Sequence, residues 1–125
     1  MKKTKDLILA KLRSICLGLP ETKEVEAWGH PTFRAGKKMF AACGSEDGNW
    51  QLGMKMSFGR QDQLLKDKRF FPTPYAARQG WVSLQLNAKT NWVEIRALIE
   101  EAYRQVAIRR MLKALDAEPP PKMPA

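Results

Sequence analysis

Histidine and cysteine are scarce: one histidine, His30, and two cysteines, Cys16 and Cys43, in 125 residues. A solitary histidine leaves no His-based metal site and no triad in view. The cysteines lack metal-ligand spacing. Cys16 falls on a helix face and Cys43 near a strand end, so both are expected to be buried free thiols rather than a disulfide or a nucleophile. Glycine-rich phosphate loops are absent, and so are carboxylate pairs set for acid–base work. Glu24 and Glu26 stand two apart on an edge strand, and Glu100 and Glu101 are adjacent on a helix, so both sets read as solvated faces. No enzyme, metal or cofactor is expected. Signal peptide and long apolar run are both missing, and the expectation is a cytoplasmic protein that does not enter a membrane.

What is present is a basic chain of ordinary apolar content. Its 22 basic and 13 acidic residues leave a net charge of +9. That favours anionic partners, though the excess is spread along the chain and no block resembles a basic arm. The length suits one domain over residues 1–116, which buries roughly two-thirds of its unfolded surface. Residues 117–125, with Pro119, Pro120, Pro121 and Pro124, read as a disordered tail. A monomer is expected.

The segment from Trp28 to Met56 organises the rest. Gly36-Lys37 separates two short runs, 32–35 and 38–43, and a glycine at the first position of a two-residue loop permits φ > 0 and a tight hairpin. That loop pairs Ala35 with Lys38, Arg34 with Met39 and Phe33 with Phe40. A polar turn over 44–49 leads to a third strand, 50–55. Alternation then sends Phe33, Phe40, Ala42, Leu52 and Met54 to the core, and Arg34, Gln51, Gly53 and Lys55 to the opposite face. The segment 22–27, with Lys23, Glu24 and Glu26 around Val25, reads as a charged edge strand. His30 lies where the chain turns into the hairpin. It is a candidate ligand contact, and the plainer alternative is a turn residue whose ring bonds nearby backbone.

Helices flank the strands. Thr4 caps one running to about Leu17, with Ile8, Leu12, Ile15 and Cys16 as its buried stripe. Ser57 opens a second near 60–66, anchored by Leu64 and Leu65. The run Phe70–Tyr75, with two prolines, reads as a packed loop. A strand over 81–86 follows, with Val82, Leu84 and Leu86 inside and Trp81, Ser83 and Gln85 outside. Asn91 with Glu94 is a capping box for a last helix that continues to about Leu115. The fold class is α+β: a two-layer antiparallel sheet with flanking helices, in the order α-β-β-β-β-α-β-α.

Several of these pieces occur together in one family. GHPTFRAGKKMFA over 29–41, Met54-Lys55, Pro74-Tyr75, Gly80-Trp81-Val82-Ser83-Leu84 and Glu100-Glu101-Ala102-Tyr103 together resemble the MmcQ/YjbR family, from about Leu12 to Val106. The resemblance implies a YjbR-like sheet with flanking helices, related to secretion-chaperone-like and frataxin-like architectures. It also implies a DNA-binding label, given to members because their hairpins look like a double wing. It highlights Gly29, His30, Pro31, Phe33, Arg34, Lys38, Phe40, Lys55, Pro74 and Trp81. Arg34 stands where lysine is frequent, and Gly80 where many members have histidine.

Two functions are weighed. Nucleic acid or another polyanion would be held by Arg34, Lys37, Lys38, Lys55 and Arg78 on its phosphates, with Trp81 as a stacking platform. The alternative is a chaperone-like module that binds an acidic or disordered protein. The first requires these cations to emerge together on the face the helices leave bare.

Overall fold

A computed structural model describes residues 2–46 and 49–117. Four helices, α1 (Lys2–Leu17), α2 (Phe58–Leu65), α3 (Trp92–Val106) and α4 (Arg109–Ala117), accompany six strands. The strands are β1 (Thr22–Ala27), β2 (His30–Ala35), β3 (Lys38–Glu46), β4 (Asn49–Lys55), β5 (Phe70–Pro72) and β6 (Trp81–Leu86), in one antiparallel sheet ordered β1-β2-β3-β4-β6-β5. The α+β class holds, with β5 and α4 added to the expected order. The tail expected beyond 116 lies outside the described residues, except Ala117, which closes α4.

Local signals explain most element ends. The Ser57 hydroxyl accepts the Arg60 N–H at 3.2 Å and starts α2. The Asn91 side chain accepts the N–H groups of Val93 and Glu94 at 3.1 and 3.2 Å, capping α3. Thr4 lies inside α1, which begins at Lys2. The Thr22 hydroxyl stands 2.9 Å from the carbonyls of both Cys16 and Leu19, supplying a donor at the C-terminal end of α1.

The core forms between the helices and one face of the sheet. Leu12 and Cys16 of α1 and Ile95, Ile99 and Tyr103 of α3 meet Phe33, Ala41, Cys43, Leu52, Met54 and Val82. Tyr103 packs edge-on to Phe40, with centroids 5.6 Å apart and planes at 89°, and its hydroxyl donates to Pro20 O at 2.7 Å. The edge-to-face contact adds about 0.5–1.5 kcal/mol beyond the area it buries.

Three expectations are corrected. Arg34 pairs with Met39 and Ala35 with Lys38, but Phe33 faces Ala41, not Phe40. Phe40 is the extra residue of a β-bulge, and past it the alternation of β3 shifts by one. Ala41 and Cys43 therefore enter the core while Ala42 joins the other face. The polar turn is also shorter than 44–49, since Glu46 already pairs with Asn49. Finally, the last helix breaks at Ala107, whose ψ of 140° is extended. The break lets α4 turn back, placing the Met111 methyl where a Cβ on Gly36 would come within 3.1 Å of it.

Candidate functional site

The face away from the helices follows from the register. Lys23 pairs with Arg34, Arg34 with Met39, and Lys55 with Trp81. Ala41 pairs with Met54, so Lys55 stands one residue beyond, level with this row. Strands about 4.8 Å apart put Arg34 about 10 Å from Lys55 across the sheet. Lys37 and Lys38, both exposed, form the β2–β3 hairpin tip at the same end, where Gly36 supplies the positive φ of 62°. Exposed Arg78 lies in the short 3-10 turn Ala77–Gln79 just before β6, also at this end. Strand parity thus brings Arg34, Lys55 and Trp81 to one face; Lys37 and Arg78 lie in turns at its end, and Lys38, opposite Ala35, starts β3 at that end on the helix side.

The carboxylates that do pair are engaged with other cations. Glu24 holds Arg13, Glu101 holds Arg60, Asp67 and Glu94 hold Arg69, Asp116 holds Arg104, and Glu21 holds Arg110. Arg110 lowers the pKa of Glu21, and Arg69 lowers those of Asp67 and Glu94, chiefly through side-chain hydrogen bonds. Among the described residues, Lys23, Arg34, Lys37, Lys38 and Arg78 have no ion pair. The inner nitrogen of Arg34, Nε, is buried with no hydrogen-bond partner among the described residues. An unmet buried donor costs about 1–3 kcal/mol, so this nitrogen disfavours the fold.

Two of the expected contacts are spent inside the fold. The segment 73–80 lies over the β4–β6 half of this face. The Thr73 hydroxyl is 2.7 Å from that of Ser83, and a Cβ on Gly53 would come within 3.5 Å of the Thr73 methyl. Lys55 Nζ donates to the Gln79 carbonyl, and Gln61 Nε2 donates to Ala77 O at 2.8 Å and Trp81 O at 2.9 Å. Beneath this roof Trp81 is only 8% exposed, so it presents no ring for stacking. Gly80 has φ 93°, and a Cβ there would lie 2.3 Å from Met56 O. A side chain at that point has no room unless this backbone shifts.

His30 is separate from the cations. It shares their face but lies four residues along β2 from Arg34, about 13 Å away. Its ring centroid is 6.5 Å from that of Trp28, which is 80% exposed. Sequence reasoning passed over Lys23 and Trp28. The signal for Lys23 was available: a two-residue Trp28-Gly29 loop places it directly opposite Arg34. Both thiols are buried and free, and burial raises Cys16 well above its usual pKa and pushes Cys43 up to about 12. Neither is a nucleophile at neutral pH. No group of three potential metal ligands occurs among the described residues, and none of the described helices is long and apolar enough to cross a membrane.

Comparison with known proteins agrees with this architecture. A family model described as YjbR matches residues 17–105. The chain belongs to the YjbR family. Among solved structures, this YjbR member resembles the Deinococcus radiodurans protein DR2400, with a DUF419 domain, at 21% identity and a TM-score of 0.70 over 86% of this chain and 87% of that one. It also resembles a Pseudomonas syringae protein at 20% identity and a TM-score of 0.57, over 69% of this chain and 87% of that one. These likenesses concern the fold. No curated protein matches the chain.

Proposed function

We propose that this YjbR protein binds nucleic acid without catalysing a reaction, holding phosphates at the cationic end of its bare sheet face. The observation that carries the reading is the grouping of Lys23, Arg34, Lys37, Lys38 and Arg78 with no carboxylate partner among the described residues. Five such cations neutralise up to five phosphates, and binding falls steeply with salt and depends little on sequence. Lys55 acts at one remove, tying down the segment that borders the site. The test is a salt titration of fluorescent DNA binding, comparing the wild type with an Arg34→Ala, Lys37→Ala, Lys38→Ala triple variant. The slope of log K against log salt should flatten by about 2–3. Absence of binding to single-stranded or duplex DNA at low salt overturns the proposal.

A second reading, a module for an acidic extended peptide, is favoured by one observation. Among the described residues β1 pairs only with β2, so its outer edge, beside Lys23, has no strand partner there. A complex with a defined peptide that survives nuclease treatment would select this reading.

A further inference from the structure

Trp28 occupies a position that suits it poorly. Ala27 pairs with His30, so Trp28 and Gly29 form a two-residue loop, and both have positive φ, 52° and 81°. Such a loop favours Asn, Asp or Gly at its first position. A bulky residue in the left-handed region is disfavoured, because its Cβ crowds the backbone. Burial returns little of that, because the residue is 80% exposed. Its aromatic neighbour, His30, is half-buried with its plane tilted 36° to the indole. The pair makes an aromatic corner open to solvent.

Strand parity places this corner on the cationic face. His30, Thr32 and Arg34 alternate to the same side of β2, and Lys23 lies opposite Arg34. Aromatic rings at one end and free cations about 13 Å away at the other match a segment of up to about four stacked nucleotides at 3.4 Å each. The residues between them on this side, half-buried Val25 and Ala42 and fully buried Thr32, carry no charge. A duplex keeps its base faces stacked inside and offers nothing to an exposed indole, whereas a single strand offers a π-face at every base.

We infer that the nucleic acid held at this face is single-stranded, with bases stacking on Trp28 and His30 and phosphates running to Arg34 and Lys23. The inference rests on the phosphate-binding reading and adds the strand type and the aromatic contact. Its test measures binding of a fluorescent 12-mer of deoxythymidylate, a 20-base-pair duplex and heparin to the wild type and to Trp28→Asn and Trp28→Phe. Asn suits the loop, so that variant should fold at least as well as the wild type, checked by thermal melting. The expected result is preference for the 12-mer. Trp28→Asn should weaken 12-mer binding about 10-fold with an unchanged salt slope, and Trp28→Phe should restore it to within about 3-fold. Equal or tighter binding of duplex or heparin, or an unaffected Trp28→Asn, overturns the inference and leaves phosphate binding standing. Failure of all three ligands to bind at low salt overturns both.

Discussion

Across β1, β2 and β3 the side of the sheet away from the helices carries exposed Lys23 and half-buried Arg34, with no ion-pair partner among the described residues. Across β4 and β6 the same alternation delivers Lys55, Gly53, Trp81 and Ser83 to that side, but the segment 73–80 covers them. The chemistry of the two halves is similar in sequence: a cation, small residues and an aromatic on each. Their use differs. Lys55 satisfies a backbone carbonyl under the roof, whereas Arg34 Nε meets no hydrogen-bond acceptor among the described residues. A cation on a strand is therefore a binding residue or a structural tie according to what lies above it.

The strongest way to break this contrast is to lift the roof. Gly80→Ala forces a Cβ into Met56 O and places alanine at a positive φ. It should destabilise the protein by about 2–4 kcal/mol, read as a drop in the urea midpoint. A neutral result would mean that 73–80 is not held against the sheet. A smaller loss is expected from Lys55→Met, which leaves the Gln79 carbonyl without its donor and should cost about 1–2 kcal/mol. That variant should leave the salt slope of DNA binding nearly unchanged. Arg34→Met should do the reverse, flattening the slope by about 0.9 for duplex DNA with little change in unfolding free energy. If the two variants exchange these phenotypes, the division of the face is wrong.

The smallest effect concerns the carboxylates that pair elsewhere. Glu21, Asp67 and Glu94 have folded pKa values below their ordinary ones because of Arg110 and Arg69. Their contribution is present above about pH 4 and is lost as pH falls through the lowered folded values. These pairs are exposed, so the melting temperature should fall only slightly on that account between about pH 4 and 2, and less in high salt. A large loss there would point to carboxylates doing more than surface pairing.

Which features were legible from residue order follows from how far each depends on distant parts of the chain. The Asn91 and Ser57 caps and the Gly36-Lys37 loop were readable because each involves residues within a few positions. The bulge at Phe40 was not. An extra residue on one strand is chosen by what must be packed, here Phe40 against Tyr103, 63 positions away in the chain. Strand β5 was missed because three residues ending in proline carry no periodic signal. Its pairing with β6 at the sheet edge makes it a strand, and an edge tolerates Pro72. The break at Ala107 has no glycine or proline to announce it.

The candidate site divides along the same line. Side chains on a strand alternate with a period of two, so the apolar pattern of each strand sets Arg34, Lys55 and Trp81 opposite the core, while the strand order that makes them neighbours comes from the fold. Exposure is different in kind, since it depends on whether another segment folds across that side. The path of 73–80, anchored by Gln61, Ser83 and Lys55, buries Trp81 and leaves Trp28 in the open. Sidedness is a local property of the backbone, whereas accessibility belongs to the assembled molecule.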